Sequence, residues 1–380
     1  MNFSGIKKIL VIKLRHIGDV LLSVPVFRAL RENFPEAHIT ALVNSGTEEV
    51  LESSPFIDEI IAFDRSIKKM NFPQKYTKEI SFLRMIRRKG FDMAVDLTGG
   101  DRAAIISFVS GASYRFAHNI RAGFLGKRHF YTHLAIRNDN QHTVLQNLDV
   151  VCQFGIKTDN LSVDIFIPED ARMFANRILE KNMTDKTTPV VHVHPTSRWL
   201  FKCWRDEYMA EVINWLTDRG IIVIVTSAPD KREMEKAKKI LSLVRTSESS
   251  FIDLCGKTNI KQLAAISEVS DLFFGVDSAP MHIAAAVGTP VVALFGPSGA
   301  FHWGPWDNES SKLRVKSLEF KTPYPERNGI QTFGIHTVIQ QDWKCVPCGK
   351  DGCDGSKISR CLEEIKTEEV INILKGKLNI

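Results

Sequence analysis

One short stretch, GVDSAPMHIAAAVGTP, brings together an acidic residue, a helix start and a histidine. Asp277 follows a predicted strand, and Ser278 and Ala279 begin the helix that comes next. His282 lies about one helical turn further on, so its side chain can reach the same point. Backbone N–H groups at a helix start bind anions, which predicts a phosphate site. The alternative is that Asp277 and Ser278 only cap the helix and that His282 is a core histidine.

A second stretch, HPTSRWLFKCW, follows another predicted strand. Thr196 and Ser197 supply hydroxyl groups, while Arg198 and Lys202 supply cations, and a pyrophosphate needs donors of both kinds. In the stretch TSAPD, Asp230 follows a further strand and suits a ribose hydroxyl, although a helix cap explains this acid equally well. These residues predict a nucleotide-diphosphate site in the second half of the chain.

In the first half of the chain, a glycine and a carboxylate follow the first predicted strand. Gly18 permits a tight turn after the first strand, and Asp19 is expected to be the N-cap of the following helix. A carboxylate there can act as a general base toward an attacking hydroxyl, or it can merely cap the helix. Asp96, with residues 98–100, ends another strand and is predicted to shape an acceptor pocket. The G-x-G-x-x-G pattern is missing after the first strand, so no NAD site is expected there.

These residues need a scaffold, and the hydrophobic pattern predicts one. Continuous apolar runs such as KKILVIKL and GIIVIVTS alternate with helical stretches, which is typical of parallel sheets covered on both faces. We therefore predict an α/β protein with two Rossmann-like, doubly wound domains that face a cleft. The first domain is placed at residues 1–168, a linker at 169–188 and the second domain at 189–380. Within the first domain, a helix is expected over Asp19–Phe34 and a loop over Asp64–Tyr76.

Composition excludes several classes of protein. With 44% hydrophobic and 25% charged residues, the chain has the balance of a globular protein. Lys13 and Arg15 interrupt the first apolar run, which is also too short for a signal peptide or a membrane span. The net charge of +6 suits an anionic partner and is too small to indicate nucleic acid. We expect a cytoplasmic protein whose thiols are reduced.

Four of the seven cysteines lie close together near the C-terminus. Cys345 and Cys348 form a C-x-x-C pair, and Cys353 and Cys361 follow in a glycine-rich stretch. Four thiolates can close a tetrahedral zinc site or hold an iron–sulfur cluster. A zinc ion held in this way would be structural, because four thiolates would leave no coordination position open for a substrate. Free or redox-sensitive thiols are the alternative interpretation.

In this order, the motifs resemble those of the ADP-heptose:lipopolysaccharide heptosyltransferases of Gram-negative bacteria, most of all the heptosyltransferase III branch. The resemblance covers about Ile6 to Trp306 and is carried by VIKLRHIGDVLLSVPVFRALRENFP, HPTSRWLFKCW, TSAPDK and GVDSAPMHIAAAVGTPVVALFGPS. It implies the two-domain glycosyltransferase B fold. It also implies an inverting transfer from ADP-L-glycero-D-manno-heptose to the inner core of lipopolysaccharide, with no cofactor required.

The resemblance also assigns roles and partners. It makes Asp19 the base, Lys202 the donor-binding lysine, Asp277 to His282 part of the donor site, and Asp230 the ribose-contacting acid. The implied acceptor is a lipid A-linked core oligosaccharide, reached by peripheral contact with the cytoplasmic face of the inner membrane. Two rivals stay open: an enzyme of the same fold that uses another nucleotide sugar, and a homologue that binds a nucleotide without turnover.

Overall fold

The computed structural model describes residues 3–69, 71–182, 185, 187–245, 250–311 and 323–380. The chain divides into two compact units, Met1–Phe166 and Ile167–Ile380. Among the described residues, no helix is both long and apolar enough to cross a membrane.

The first unit is built around a sheet of parallel strands. They are β1 (Lys8–Lys13), β2 (His38–Asn44), β3 (Glu59–Phe63), β4 (Met93–Asp96), β5 (Tyr114–His118) and β6 (His133–Ala135). In the described part of the unit their order is β3-β2-β1-β4-β5-β6. The chain crosses from one side of β1 to the other between β3 and β4, and such a crossover leaves the carboxyl ends of β1 and β4 free for a ligand.

Helices cover this sheet. They are α1 (Ile17–Leu21), α2 (Val24–Asn33), α3 (Phe72–Lys89), α4 (Asp101–Ser110) and α5 (Thr143–Cys152). The single helix expected over Asp19–Phe34 is in fact two, α1 and α2. Pro25 lies in the first turn of α2, where it has no N–H to donate to the preceding turn, so the chain breaks at Leu22 and Ser23. The loop expected over Asp64–Tyr76 is also partly helical, because α3 begins at Phe72 after an Asn71 cap.

The second unit repeats the same architecture. Its strands are β7 (Val190–His194), β8 (Ile222–Val225), β9 (Phe251–Asp253), β10 (Leu272–Val276), β11 (Val291–Phe295), β12 (Gln331–Phe333) and β13 (His336–Gln340). Over the described residues their order is β12-β13-β11-β10-β7-β8-β9, and only the edge pair β12–β13 is antiparallel. β7, β10 and β11 are buried along their whole length, which explains their continuous apolar sequences.

The helices of the second unit include the region predicted as a linker. They are α6 (Glu169–Asn182), α7 (Asp206–Thr217), α8 (Lys231–Leu241), α9 (Ile260–Glu268), α10 (Ala279–Ala286), α11 (Ala300–Trp303), α12 (Arg360–Glu363) and α13 (Thr367–Leu378). Most of the predicted linker, 169–188, is therefore helix α6, which packs on α9. Ala171 and Ala175 are buried, and Arg172 donates two hydrogen bonds to Glu268 at 2.8 and 2.9 Å. Residues 183, 184 and 186 of that range lie outside the described residues.

Candidate functional site

An ion pair lies at the carboxyl edge of the second sheet. Lys202 Nζ contacts Asp277 Oδ2 at 2.6 Å, although 75 residues separate them in sequence. They meet because β7 and β10 are adjacent parallel strands: Lys202 lies in the short Leu200–Lys202 turn after β7, and Asp277 directly follows β10. The structure thus brings two predicted donor-site residues into direct contact.

The electrostatics of Asp277 depend on this pair. Burial alone would raise the pKa of Asp277, but the Lys202 ammonium, a hydrogen bond from Ser298 and the nearby His282 hold that pKa below its ordinary value. Asp277 is therefore charged and fixes Lys202 at this edge. An ammonium has three donor positions, so the contact with Asp277 leaves Lys202 able to bind an anion.

The start of α10 lies directly beside this pair. Ser278 is its N-cap residue, but the Ser278 hydroxyl donates back to the Val276 carbonyl at 3.2 Å, and no side chain caps the helix. The first turn begins at Ala279, and because Pro280 has no N–H, the turn offers an anion the N–H groups of Ala279 and Met281. His282 is buried one turn further on. A cation and a helix start suit a diphosphate, as the sequence predicted.

A buried carboxylate that sequence reasoning missed faces the same loop. Glu233, in the first turn of α8, accepts a hydrogen bond from Thr196 Oγ1 at 2.9 Å. It is only 5% exposed, and burial raises its pKa while the Thr196 bond opposes the shift. By contrast, Asp230 caps α8 by accepting from the Arg232 N–H at 3.0 Å, and half of its side chain is in solvent. The capping alternative thus describes the observed contact of Asp230.

A chain of buried polar groups extends behind Thr196. The His194 Nδ1 and His192 Nε2 atoms both lie within hydrogen-bonding distance of Thr226 Oγ1, at 2.8 and 2.7 Å, and His192 also contacts Ser267. Burial lowers the pKa of His194 to about 3, so both imidazoles are neutral near pH 7. This series of hydrogen bonds fixes strand β7 and thereby the direction of the Thr196 side chain. The signal for it was the polar H-x-H pattern in an otherwise apolar strand.

The rest of the predicted donor loop is held by the C-terminal part of the chain. Ser197 is buried, and its hydroxyl accepts from the Trp199 N–H at 3.3 Å. Further along, Ser359 Oγ donates to the Phe201 carbonyl at 2.6 Å, and Trp204 Nε1 donates to the Ile365 carbonyl at 3.1 Å. These contacts fix the loop before and after Lys202 in the sequence.

The four C-terminal cysteines belong to this supporting segment. Cys345 and Cys348 are exposed, Cys353 is half-buried and Cys361 is buried. Burial raises the pKa of Cys361 to about 11, and its three neighbouring thiols act in the same direction. The thiols therefore lie in one region, but the described residues form no group of three or more His, Cys, Asp or Glu side chains arranged to hold a metal ion.

In the first unit, Asp19 lies at the carboxyl edge of β1. It is in the first turn of α1, and His16 is the N-cap residue, so the predicted N-cap role of Asp19 is wrong. Unlike an N-cap side chain, a carboxylate inside the first turn is not required to accept a hydrogen bond from the backbone N–H groups. The charge of Asp19 acts on a residue that sequence reasoning missed, Lys13, whose Nζ donates to the Leu97 carbonyl at 3.0 Å and to Asn147 Oδ1 at 2.9 Å.

Lys13 and Asp19 influence each other electrostatically. Burial lowers the pKa of Lys13 to about 8, and the charge of Asp19 opposes the shift. Gly18, the residue before Asp19 in this turn, is buried. Asp19 is thus half-buried, interacts electrostatically with Lys13 and is not the N-cap residue of α1.

Asp96 has a structural role at the same edge. It is buried, and its carboxylate accepts from the N–H groups of Thr98 and Gly99 and from Tyr131 Oη, at 2.7, 3.0 and 2.5 Å. Burial raises the pKa of Asp96, and these hydrogen bonds oppose that shift. Asp96 therefore shapes the turn after β4, and its place in an acceptor pocket stays a prediction.

Comparisons with known proteins agree with these features. The family model of glycosyltransferase family 9 (heptosyltransferase) matches residues 80–327. The chain is 32% identical to lipopolysaccharide heptosyltransferase 3 of Escherichia coli K12 over 295 residues, 77% of this chain and 83% of that protein. Its fold is similar to that of a glycosyl transferase family 9 protein from Veillonella parvula, with a TM-score of 0.74, 23% identity and 98% and 97% of the two chains covered. It is also similar to E. coli heptosyltransferase WaaC with ADP, with a TM-score of 0.69, 17% identity and 97% and 99% covered.

Two predictions are confirmed by these findings. The α/β fold class with Rossmann-like sheets is that of the solved heptosyltransferase structures. The motifs that carried the resemblance match the family found by the comparison. The chain is thus a glycosyltransferase that belongs to family 9, the heptosyltransferases.

Proposed function

We propose that this protein transfers heptose from ADP-L-glycero-D-manno-heptose to the inner core of lipopolysaccharide, with inversion at the anomeric carbon. The observation that carries the proposal is the Lys202–Asp277 pair beside the uncapped start of α10, which suits a diphosphate. The relative at 32% identity is named for this kind of transfer, and the structure of WaaC was solved with ADP.

On the donor side, the second unit holds the nucleotide diphosphate. Lys202 and the N–H groups at the start of α10 stabilise the negative charge that collects on ADP as the bond to the sugar breaks. Glu233, aligned by Thr196, is better suited than the half-exposed Asp230 to accept hydrogen bonds from ribose hydroxyls. Ser197 keeps the loop in the required shape.

On the acceptor side, the first unit supplies the base. Asp19 takes the proton of an acceptor hydroxyl while the hydroxyl oxygen bonds to the anomeric carbon on the face opposite ADP. The bond from that carbon to the diphosphate oxygen breaks, and ADP leaves with the bonding electron pair. The buried Lys13, on which the charge of Asp19 acts, supplies positive charge on this side of the proposed site.

The acceptor in this proposal is anchored in lipid. We propose that the protein acts as a peripheral enzyme at the cytoplasmic face of the inner membrane, where such an acceptor is exposed. It needs no cofactor for the transfer, because Lys202 and the helix start supply the positive charge that a metal ion would otherwise provide.

A panel of donors and acceptors tests the function. Purified protein should release ADP from ADP-heptose only when a lipopolysaccharide core acceptor is present, and mass spectrometry should show one added heptose. Turnover with a different nucleotide sugar would favour the rival donor. Conversion of a nucleotide sugar without an acceptor would favour an epimerase, and binding without any turnover would favour a non-catalytic homologue.

Glu233 gives the sharpest test of the nucleotide site. Glu233→Gln should weaken ADP binding by roughly 10- to 100-fold, since charge-assisted hydrogen bonds contribute about 1.5–3 kcal/mol. The loss should be much smaller for 2′,3′-dideoxy-ADP, which lacks the hydroxyls that we assign to Glu233. Calorimetry with both ligands measures the difference.

Two variants serve as controls for Glu233. Glu235→Gln removes an exposed carboxylate from the same helix and should bind both ligands as the wild type does. Asp230→Asn tests the residue that the resemblance favoured. An equal loss of ADP and dideoxy-ADP affinity in Glu233→Gln, or a ribose-dependent loss in Asp230→Asn, would contradict the assignment.

We further propose that Cys345, Cys348, Cys353 and Cys361 close around one structural zinc ion. Four thiolates are the ligand set of structural zinc sites, and left-handed Gly349 and Gly352 allow the tight turns that such a loop needs. The ion would stabilise the segment that holds the Lys202 loop and would take no part in the transfer.

Metal analysis tests this site directly. Protein purified without chelator should contain one zinc ion per chain, and a strong chelator should lower its melting temperature. Cys353→Ser should lose the metal, whereas Cys152→Ser, which changes a half-buried thiol of the first unit, should retain it. Substoichiometric metal together with four freely titratable thiols would rule the site out.

A further inference from the structure

Helix α3 exposes large apolar side chains on its outer face. Phe72, Tyr76 and Ile80 are 74%, 49% and 45% exposed. Their four-residue spacing places them on one side of the helix, and the ring centroids of Phe72 and Tyr76 are 4.5 Å apart. Apolar side chains that adjoin one another at a surface, unlike single scattered ones, mark a site of interaction.

The neighbouring helix and a nearby loop also expose apolar side chains. α4 packs beside α3, and its Phe108 is 50% exposed and stacks on Phe130 with 4.4 Å between ring centroids. Leu125, in the loop just before Phe130, is fully exposed. The first unit therefore exposes apolar side chains on two neighbouring helices and a loop.

The same face is strongly basic. α3 carries six Lys or Arg residues and one acidic residue, Glu79, which pairs with Arg102 at 3.0 Å. Arg84 and Arg88 continue the exposed face one and two turns after Ile80, and neither forms an ion pair among the described residues. A groove of about 750 Å³ along this helix is lined by Thr77, Ile80, Ser81, Arg84, Met85, Arg88 and Lys89. We call Phe72, Tyr76, Ile80, Arg84, Arg88 and Phe108 the α3–α4 surface.

Charge decides which partner fits this surface. A second copy of the chain would place two basic helices against each other, which is unfavourable. An anionic lipid bilayer instead offers phosphates to the arginines and an acyl boundary to the aromatic and aliphatic side chains, the pattern of interfacial amphipathic helices. We propose that the α3–α4 surface docks the first unit on anionic lipid head groups. The inference rests on the proposed function to the extent that this function supplies a lipid-linked acceptor at the same membrane.

Vesicle sedimentation of the full chain tests the surface. The probes are vesicles of phosphatidylcholine alone and vesicles that also contain phosphatidylglycerol. Arg84→Gln/Arg88→Gln should lower partitioning onto the anionic vesicles about 25-fold, since each cation near such a surface contributes roughly a fivefold gain. Phe72→Ser/Tyr76→Ser should lower the binding that remains at high salt, where charge attraction is screened.

A matched control separates location from charge. Lys238→Gln/Lys239→Gln removes the same charge from the exposed side of α8 and should bind like the wild type. Equal losses in the two charge variants, or wild-type binding that does not depend on phosphatidylglycerol, would overturn the proposal.

Activity provides an independent measurement. With a lipid-free core oligosaccharide as acceptor, all these variants should turn over at the wild-type rate, and only vesicle-bound acceptor should reveal a defect. If the wild type transfers heptose to neither the soluble nor the vesicle-bound acceptor, the proposed function fails, while the sedimentation result still decides the docking surface.

Discussion

Replacing Asp19 with Asn should lower turnover by roughly 100- to 10,000-fold, the usual contribution of a general base, while ADP binding stays normal. The carboxamide has nearly the same shape as the carboxylate but cannot take the proton of an acceptor hydroxyl. The His16 cap of α1 is unchanged, so the melting temperature should change little. Initial rates with saturating ADP-heptose, together with ADP calorimetry, measure the two effects.

A matched control exists for Asp19. Asp101→Asn changes another acid in the first turn of a helix that follows a strand of the same sheet, and it should leave turnover within a few-fold of the wild type. Near-normal turnover of Asp19→Asn, or an equal defect in both variants, would contradict the assignment of Asp19 as base.

Replacing Lys202 with Ala should weaken ADP binding and reduce turnover by about 100- to 1,000-fold, the usual effect of removing one group that stabilises developing charge. The ammonium contacts the diphosphate both before and during bond breaking, so affinity and rate should fall together. Lys257→Ala, which removes an exposed lysine paired with Asp253 at 3.6 Å, is the control and should behave like the wild type.

A double variant distinguishes positioning from direct binding. If Asp277 acts by holding Lys202, then Lys202→Ala/Asp277→Asn should be no less active than Lys202→Ala alone, because the two losses are not additive. Additive losses would mean that Asp277 contacts the substrate itself. Unchanged ADP affinity and rate in Lys202→Ala would place Lys202 outside the donor site.

The ion pair also predicts a pH dependence of stability. Because the folded-state pKa of Asp277 lies below its ordinary value of 3.8, its contribution to the free energy of unfolding is complete above that value and is lost as the pH falls through the folded-state pKa. In Lys202→Ala the buried carboxylate loses its partner and its pKa rises. The destabilisation by this substitution should therefore be larger at pH 7 than at pH 3, which urea unfolding at the two pH values measures.

Periodicity predicted the elements of the second unit that surround the candidate site. The apolar run GIIVIVTS contains strand β8, and the helix expected after Asp277 is α10, which begins at Ala279. Local signals failed where tertiary contacts decide the outcome. Residues 169–182 are polar enough to suggest a linker, yet the small buried face of α6 is covered by α9.

The candidate site shows the same limit. Sequence reasoning identified Lys202 and Asp277 separately, but only the neighbouring positions of β7 and β10 show that they form a pair. Glu233 was missed because an acid in the first turn of a helix is ordinarily explained by the helix dipole. Its burial, which no local pattern reveals, indicates another role. Lys13 was also missed, because no local pattern reveals the burial of this charged residue at the end of an apolar strand.

The contacts of Ser359 and Trp204 have a consequence for how the protein is synthesised. They join the Lys202 loop to residues 158 and 161 positions away along the chain. At a translation rate of about 5–20 residues per second, roughly 8–32 s pass between synthesis of this loop and synthesis of the segment that holds it. Once Asp277 has been made, in the second part of that interval, the ribosome-bound chain carries β7, Lys202 and Asp277 but not the segment that supports them. The nascent chain should therefore acquire ADP affinity late and abruptly, when residues 359–365 leave the exit tunnel.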